Sequence, residues 1–410
     1  SCKNDSMKFS EIRPPYKSLS PAVKRWLAMD SSTLKTDLNK FWEINPHLPL
    51  VEKDSLYDDY VFITFLYHNE LPNKEIKFEM FGIYEEYRFA DMKLYPLSNT
   101  GTYYRSYMIP NDLCFSYRFS VRDTISGEIM KVVDKYNSNT IPRDSIFGYS
   151  FSAMDLRTSE PDYNSKRENV GHGKLDTLIF NSKILGYNKD IFVYTPVGFD
   201  KNRKQDYPVL YLFDSFIYLN RVEVPNILDN LINEEKIEPM IAVLINNYSD
   251  ERRETELHLS YEFKSFVTDE LVSYIRTNYN GTTNPQQTII GGISLGGLAS
   301  TFMSFYHPDI FGKVLSQSGA FWRDTCLVDN YDNEIRNDWL INQFLLSDKK
   351  PIKIFMDWGL QENMVLGSNR KMARVLKQKG YDFTYIEFNG WHDWANSRKT
   401  FPNGLIYLLN

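Results

Sequence analysis

The stretch 288–299 constrains this chain more than any other part of its sequence. An apolar β-branched run leads into Gly292-Ile293-Ser294-Leu295-Gly296, a G-x-S-x-G sequence, and a helical pattern continues to about residue 306. This is the arrangement of a nucleophile elbow, in which a serine occupies a tight strand-to-helix turn whose neighbours lack a Cβ that would clash. A helix N-terminus at this turn directs the backbone N–H of Leu295 toward a developing oxyanion. The sequence predicts a nucleophilic Ser294; the alternative is a glycine-rich turn that only packs a helix against a sheet.

Short apolar strands alternate with helical segments on both sides of this motif. The other predicted strands are 190–194, 209–213, 240–245, 313–317, 352–356 and 384–388, and the predicted helices are near 226–235, 261–279, 337–346 and 368–379. Such alternation indicates a mainly parallel sheet with helices on both faces. The sequence therefore predicts an α/β-hydrolase catalytic domain over residues 174–410.

The N-terminal part of the chain has a different pattern. Residues 1–56 are polar and read as a tail with a short helix, whose amphipathic stretch is near 21–38. Residues 57–150 contain aromatic segments of period two, at 61–67, 76–81, 102–107 and 115–121, which favour a small immunoglobulin-like β-sandwich. Residues 151–173, rich in Asn, Ser, Pro, Asp and Gly, read as a linker.

The histidine of the expected catalytic set can be chosen by chain order. In this fold the order is serine, acid and histidine, with the histidine after the last strand. His307 ends the helix that begins at the elbow and should lie far from Ser294, whereas His392 follows the last predicted strand. We therefore assign His392 as the general base.

Two carboxylates compete for the position of the acid. Glu362 lies in the loop after the strand 352–356 and is long enough to reach an imidazole, while Asp357 sits at the end of the strand and can cap the turn. Glu362 is favoured, and Asp357 is the alternative. Asp393, beside the histidine, is expected to order its own loop. The second oxyanion donor is expected from the backbone of Ser215 or Phe216, after the strand 209–213.

Composition excludes several classes of partner. The net charge is −6 and no long Lys/Arg run offsets it, which argues against nucleic acid. No apolar run approaches the length of a membrane span. Cys2, Cys114 and Cys326 form no C-x-x-C pair, so neither a disulfide framework nor a zinc site is indicated. No metal or cofactor is expected in the chemistry.

Cys2 has a possible role of its own. The polar residues that follow it are typical of a bacterial lipoprotein after signal cleavage, in which lipid on the cysteine tethers the chain to the periplasmic or cell-envelope side of a membrane. The alternative is an ordinary exposed cysteine in a cytoplasmic protein.

Ordered matches to a known family run from about residue 41 to the end. They are Phe41-Trp42, Pro49-Leu50-Val51-Glu52, Ile63-Thr64-Phe65-Leu66-Tyr67, Asp134 with Tyr136-Asn137, Val193-Tyr194-Thr195-Pro196-Val197-Gly198-Phe199-Asp200, Leu212-Phe213-Asp214, Ile227-Leu228-Asp229-Asn230-Leu231-Ile232, Arg253 with Glu256-Leu257, Gly292 to Gly297, Leu315-Ser316-Gln317-Ser318-Gly319, Gly359 with Glu362, and His392-Asp393. Through them the chain resembles the enterochelin (enterobactin) esterases, siderophore trilactone hydrolases with a β-sandwich before an α/β-hydrolase domain.

The resemblance implies roles for individual residues. Ser294 would be the nucleophile, His392 the base and Glu362 the acid. Arg253 and Arg398 fall on arginines that line the family's substrate side, suited to an anionic ferric catecholate; the alternative is surface salt bridges. Trp322, Trp391 and Trp394 are candidates to stack on catechol rings, or are packing aromatics. The chain departs from the family at three positions, Ser215, Trp391 and Ser397, where Gly, Gly and Trp are usual.

Three functions follow from this sequence. The first is a serine esterase that opens the ester bonds of a tricatecholate siderophore through an acyl-enzyme and so aids iron release. The second is a feruloyl or acetylxylan esterase with the same mechanism. The third is a non-catalytic binder of a siderophore or a glycan.

Overall fold

The chain folds into two compact units. The computed structural model describes residues 16–17, 19–53, 58–69, 71–80, 92–142, 150–157, 161–247, 250–323 and 338–410. One unit is Ser1–Ser159 and the other is Glu160–Asn410.

The N-terminal unit begins with two helices where the sequence predicted one. Helix α1 is Pro21–Leu27 and helix α2 is Ser31–Glu43. Asp30 accepts hydrogen bonds from the N–H groups of Ser32 and Thr33, so it caps a new helix inside the amphipathic stretch. The buried faces of both helices meet in one cluster around Trp26 and Leu38.

Two antiparallel sheets make up the rest of the described N-terminal unit. The first contains β1 (Tyr16–Lys17), β2 (Leu50–Lys53), β3 (Tyr60–His68), β5 (Tyr95–Pro96) and β6 (Thr102–Pro110), and the second contains β4 (Lys74–Met80), β7 (Cys114–Asp123), β8 (Ile129–Val132), β9 (Thr140–Ile141) and β10 (Phe151–Asp155). Phe65 of one sheet stacks on Phe78 of the other with ring centroids 4.2 Å apart. The predicted aromatic strands are therefore present, and the immunoglobulin-like class of the unit stays a prediction.

Two short strands correct the predicted boundaries of this unit. Residues 50–53, predicted as part of the tail, pair with β3, and residues 151–155, predicted as linker, pair with β7. Each strand has only four or five residues and lies beside polar sequence, so its own pattern is weak. The long aromatic neighbours β3 and β7 supply the hydrogen bonds and the packing that make it a strand.

The C-terminal unit is built on one mixed sheet whose described strands number eight. In chain order they are β11 (Lys174–Asn181), β12 (Asn188–Thr195), β13 (Val209–Leu212), β14 (Ile241–Ile245), β15 (Thr288–Ile293), β16 (Lys313–Gln317), β17 (Lys353–Gly359) and β18 (Asp382–Phe388). Their order across the sheet is β11-β12-β14-β13-β15-β16-β17-β18. From β14 onward neighbouring strands are parallel, and β11 and β12 are antiparallel.

Helices cover this sheet on both faces. They are α3 (Ser215–Asn220), α4 (Val224–Asn233), α5 (Asp250–Leu257), α6 (Tyr261–Ser265), a π-helical turn (Phe266–Leu271), α7 (Val272–Tyr279), α8 (Leu295–Tyr306), α9 (Trp339–Leu346), α10 (Asn363–Gln378) and α11 (Trp394–Leu409). Val314 packs with Leu298 and Phe302 of α8 in one core, while Phe355 of β17 lies against Gly404 of α11. The parallel strands and the helices on both faces are those of an α/β-hydrolase-like fold, as the sequence predicted.

Residues 161–173, predicted as linker, belong to the C-terminal unit and are fastened along α4. The side-chain amide of Asn230 donates to the carbonyls of Tyr163 and Ser165 at 2.8 and 2.9 Å. The carboxylate of Asp229 accepts the Gly173 N–H at 2.9 Å and lies 3.0 Å from Nδ1 of His172. The polar sequence of residues 161–173 is typical of a free linker, but in the structure these residues form hydrogen bonds with buried side chains of α4.

The described residues contain no helix long and apolar enough to span a membrane, and no cluster of three or more metal-ligating side chains. Cys114 is a buried free thiol. Cys2 and Cys326 lie outside the described residues, so a lipid anchor at Cys2 stays a prediction.

Candidate active site

Ser294 lies at the turn between β15 and α8, near the middle of the sheet. Its backbone has φ 60° and ψ −116°, a conformation that costs energy in a non-glycine residue. Its N–H donates to the Gln317 carbonyl at 2.9 Å, and its carbonyl accepts from Ala320 at 3.0 Å. The neighbouring strand β16 and the loop after it therefore hold the strained turn in place, and the half-buried Ser294 side chain has the backbone setting of a nucleophile elbow.

The two glycines of the motif are not equivalent. A Cβ on Gly292 would lie 2.5 Å from the carbonyl carbon of Gly296, which no real side chain tolerates. A Cβ on Gly296 would lie 3.6 Å from its nearest neighbour, an ordinary van der Waals contact. The expected steric need for glycine is therefore met at 292 and not at 296.

His392 and Glu362 meet at the carboxyl edge of the sheet. Glu362 follows β17 and is the N-cap of α10, and His392 lies in the loop between β18 and α11. Nδ1 of His392 is 2.6 Å from Oε2 of Glu362, whose side chain is almost completely buried, while a quarter of the His392 side chain is exposed. With Nδ1 bonded to the carboxylate, Nε2 is the nitrogen that can accept a proton. Because β15, β17 and β18 are parallel, Ser294, Glu362 and His392 all follow strand ends at one edge.

The second oxygen of Glu362 is held as firmly as the first. Oε1 accepts hydrogen bonds from the Ser318 hydroxyl at 2.7 Å and from the Gly359 N–H at 2.6 Å. Together with the contact to His392, these hydrogen bonds fix both oxygens of the buried carboxylate. The arrangement fits a carboxylate that orients an imidazole and balances its positive charge.

Asp357, the competing acid, lies within β17 and is fully buried beneath this pair. Its carboxylate accepts from the side-chain amide of Gln317 at 3.0 Å and from the Ser318 N–H at 3.1 Å. Burial raises the pKa of Asp357 to about 7, against hydrogen bonds from Thr400 and Gln317 that lower it. The structure therefore brings Glu362 to the imidazole and places Asp357 among its supports.

Asp393 and His307, which the sequence analysis did not assign to the catalytic set, have structural roles at helix ends. Asp393 caps α11 by accepting the Ala395 N–H at 2.9 Å, as expected of a carboxylate that orders its own loop. His307 is the C-cap of α8, so it lies at the opposite end of this 12-residue helix from the elbow.

The segment after β13 lies against the elbow. A Cβ on Gly296 would lie 3.7 Å from Oδ2 of Asp214, the residue before α3. Asp214 has φ 55°, and its N–H donates to Oδ1 of Asn247 at 2.9 Å. Ser215 and Phe216 are the first two residues of α3, so both predicted oxyanion donors directly follow the residue that lies against the elbow.

The predicted substrate arginines are both engaged in ion pairs. Arg253 donates two hydrogen bonds of 2.8 Å to the carboxylate of Asp214 and a longer one of 3.3 Å to the Ile293 carbonyl, and a fifth of its side chain remains exposed. Arg398 is buried, 2.9 Å from Glu223, and donates to the Arg221 carbonyl. Arg253 therefore ties the segment after β13 to the elbow, and Arg398 is an internal residue of α11.

The three tryptophans differ in exposure. Trp391 and Trp394 are only 7% and 5% exposed, and the guanidinium of Arg221 lies over the Trp394 ring. Trp322 is half-buried, with the guanidinium of Arg323 4.8 Å from its ring centroid. Trp322 alone of the three presents much ring surface to a ligand in this arrangement.

Sequence reasoning missed the residues that hold the site together. Lys189 and Glu256 form a fully buried ion pair at 2.8 Å, Glu256 also accepts from Asn247, and Asn247 holds the backbone of Asp214. Ser318 and Gln317 perform the same task beneath Glu362. Glu256, Gln317 and Ser318 lie in segments shared with the resembled family, which was their only sequence signal. Lys189 and Asn247 had none, since hydrogen bonds between distant segments have no periodicity.

The curated proteins that match this chain include enterobactin esterases and a feruloyl esterase. The chain is 22% identical over 233 residues to the iron(III) enterobactin esterase of Escherichia coli (strain K12), a match that covers 56% of this chain and 56% of that protein. It is 26% identical over 170 residues to the endo-1,4-beta-xylanase/feruloyl esterase of Xylanibacter ruminicola, covering 39% of this chain and 23% of that protein. The matched region thus spans about half the length of the first relative.

Solved structures share the fold over most of the chain. The ferric enterobactin esterase of Salmonella typhimurium matches with a TM-score of 0.76 at 19% identity, covering 90% of this chain and 98% of that one. The Shigella flexneri enterobactin esterase, crystallised in the presence of enterobactin, gives 0.75 at 19% identity and covers 90% and 97%. A ferulic acid esterase of Anaeromyces mucronatus gives 0.51 at 20% identity and covers 61% and 96%.

The family model described as a putative esterase matches residues 182–408, which include the elbow and both carboxylates. Because this match covers more than half of the chain, the protein belongs to the Esterase family.

Proposed function

We propose that this protein is a serine esterase that acts through a covalent acyl-enzyme. Ser294 attacks the ester carbonyl carbon while His392 takes its proton at Nε2, and the carbonyl oxygen becomes an oxyanion bound by the N–H of Leu295 and of Ser215 or Phe216. His392 then gives the proton to the leaving alcohol. Water, activated by the same imidazole, attacks the acyl-enzyme and releases the acid and Ser294.

The hydrogen bond between His392 and Glu362 is the observation that carries this proposal. At 2.6 Å it fixes the ring orientation and the tautomer, and it stabilises the imidazolium that forms in each step. The strained Ser294 backbone supports the same function, because such conformations are kept where the surrounding structure needs them.

We propose a tricatecholate siderophore of the enterobactin type as the substrate. Support comes from the relatives named for enterobactin and from the similarity of both units to the enterobactin esterases over 90% of the chain. Arg253 of α5 and the Trp322–Arg323 pair after β16 bring guanidinium groups and an aromatic face to this unit, and both guanidinium groups also contact carboxylates. Cleavage of the ester scaffold would separate the catechol arms and weaken their combined hold on iron.

A second candidate keeps the mechanism and changes the substrate to a feruloylated or acetylated plant polysaccharide. The 26% identical match over 170 residues to the endo-1,4-beta-xylanase/feruloyl esterase of Xylanibacter ruminicola favours it. Rates on enterobactin and on a feruloylated oligosaccharide, measured side by side, separate the two. A third candidate, a non-catalytic siderophore or glycan binder, requires tight binding without reaction with an active-serine phosphonate.

The test is product analysis by mass spectrometry with a small panel of esters. We expect the wild-type protein to convert enterobactin into linear fragments and Ser294→Ala to lose essentially all of this activity. Glu362→Gln should lower kcat by about 10⁴-fold, the cost of a wrong tautomer in such a set. Asp357→Asn, the matched change of the other carboxylate, keeps an oxygen that can accept from the Ser318 N–H and should lower kcat far less than Glu362→Gln does. Unchanged turnover by Ser294→Ala would refute the mechanism.

A further inference from the structure

Ser318 is a buried residue that contacts both Glu362 and Asp357. It follows β16 directly, it is 4% exposed, and its hydroxyl donates to Oε1 of Glu362 at 2.7 Å. The opposite oxygen of the same carboxylate binds His392. One carboxylate thus connects the Ser318 hydroxyl to the imidazole.

The backbone of Ser318 is fixed independently of its side chain. Its N–H is 2.8 Å from the Asp357 carbonyl oxygen and 3.1 Å from Oδ1 of Asp357. Asp357 is itself held by the side-chain amide of Gln317, which also bonds to Thr400 and to the Ser397 carbonyl. These contacts join β16, β17 and α11, so the position from which the hydroxyl donates is set by the whole edge of the sheet.

The backbone of Ser318 is strained. Its φ is 46°, in the left-handed region where a non-glycine residue costs energy. Glycine would remove that cost, but it would also remove the hydroxyl. A serine here is best explained by a need for the hydrogen bond to Glu362.

We propose that Ser318 is a positioning residue for the catalytic reaction: its hydroxyl locks the Glu362 carboxylate in the orientation that holds His392. Asp357 acts one step further back, by holding the Ser318 N–H. This inference rests on the proposed serine esterase function. It explains why two buried carboxylates occur five residues apart, since one faces the imidazole and the other supports the first through Ser318.

The consequence for the chemistry is electrostatic as well as geometric. A donated hydrogen bond stabilises the carboxylate anion, so its loss raises the proton affinity of Glu362 and of the imidazole bonded to it. The ionisable groups around Ser318 are Glu362 at the start of α10, His392 after β18, Asp357 on β17, and Tyr218 of α3, whose hydroxyl donates to Gln317. Catalysis needs a neutral imidazole, so the acidic limb of the pH–rate profile should move to higher pH.

The experiment compares Ser318→Ala with a matched serine of the strand that precedes it, β16. Ser316 is equally buried, and its hydroxyl has no hydrogen-bond partner among the described residues, so Ser316→Ala removes a hydroxyl of the same kind without a bond to Glu362. We expect Ser318→Ala to lower kcat by about 10- to 100-fold, with KM within about twofold, and to move the acidic limb of kcat/KM upward by about half a pH unit or more. Ser316→Ala should keep the wild-type limb.

Ser318→Gly separates the hydroxyl from the backbone. It relieves the left-handed strain and still lacks the hydrogen bond. We therefore expect the same loss of kcat and the same shift of the acidic limb as in Ser318→Ala. Its thermal stability should be at least that of Ser318→Ala. Wild-type kinetics in Ser318→Gly, an unmoved limb in Ser318→Ala, or an equal shift in Ser316→Ala would each overturn the inference. Failure of the underlying function would look different, because Ser294→Ala would then be as active as wild type.

Discussion

At the scale of single residues, Asp357 and Glu362 show how placement divides two similar side chains between two tasks. Glu362 stands past the end of β17 and reaches His392, whereas Asp357 is still within the strand and accepts hydrogen bonds from the buried Gln317 and Ser318. The extra methylene and the loop position of Glu362 were both visible in the sequence and favoured it. The support that Asp357 gives through Ser318 was not, because it depends on the pairing of β16 with β17.

The buried position of Asp357 predicts how stability changes with pH. Its pKa rises from an ordinary value of 3.8 to about 7 in the folded protein. Between these values the folded state holds a proton that the unfolded state has released, so this group lowers the free energy of unfolding as the pH rises from about 4 to 7, by about 1.4 kcal/mol per unit at most.

Asp357→Asn removes that proton from both states. We therefore expect the stability of the variant relative to wild type to improve steadily from pH 4 to pH 7 and then to level off, as measured by urea unfolding across this range. Subtraction of the two curves cancels the titration of the other groups. A difference that stays constant over the whole range would contradict the raised pKa.

At the scale of elements, the β15–turn–α8 unit was predictable because its constraints are local. The strand residues are apolar and β-branched, the turn carries its glycine, and the helix follows at once. Pattern reasoning reached the parallel strands in the same way, since each is a short apolar run. It missed β11, where exposed apolar side chains such as Ile179 obscure the alternation of Leu178 and Phe180, which pack on the core, and it missed α5, which is mostly charged.

The elbow also yields a prediction within the motif itself. Gly292→Ala should destabilise the protein by about 3 kcal/mol or more, or prevent folding, because the new methyl group would overlap the backbone of Gly296. Gly296→Ala is the matched control; it should change the free energy of unfolding by less than about 1 kcal/mol, since its methyl finds ordinary contacts in a helix. Thermal and urea unfolding of the two variants measure this. Equal destabilisation by both would mean that the turn needs glycine on each side.

At the scale of the whole molecule, the division into units was partly hidden from the sequence. Composition correctly separated an aromatic β part from an alternating α/β part. It placed the catalytic domain at 174, however, while the C-terminal unit begins at Glu160. A polar segment can be a mobile linker or a strap that completes a buried surface, and only the contacts of α4 distinguish the two.

This distinction can be tested with two fragments. Residues 160–410 contain every residue assigned to catalysis and also the segment 161–173 that bonds to α4, which we call the strap. Residues 174–410 lack the strap. The shorter fragment loses both acceptors of the Asn230 amide and two partners of the Asp229 carboxylate, and it uncovers the face of α4 on which Tyr163 is buried. Leaving such groups unpaired costs about 1–3 kcal/mol each.

We expect 160–410 to unfold cooperatively and to react with a serine-directed phosphonate at a rate near that of the full chain. The 174–410 fragment should be less stable by on the order of 3–6 kcal/mol in urea, or insoluble. Asn230→Ala in 160–410 is an intermediate control, because it removes the donor while keeping the strap, and its loss should be smaller than that of the deletion. Equal stability of the two fragments would show that residues 160–173 only connect the units. Failure of 160–410 to label while the full chain labels would show that the N-terminal unit takes part in forming the nucleophile.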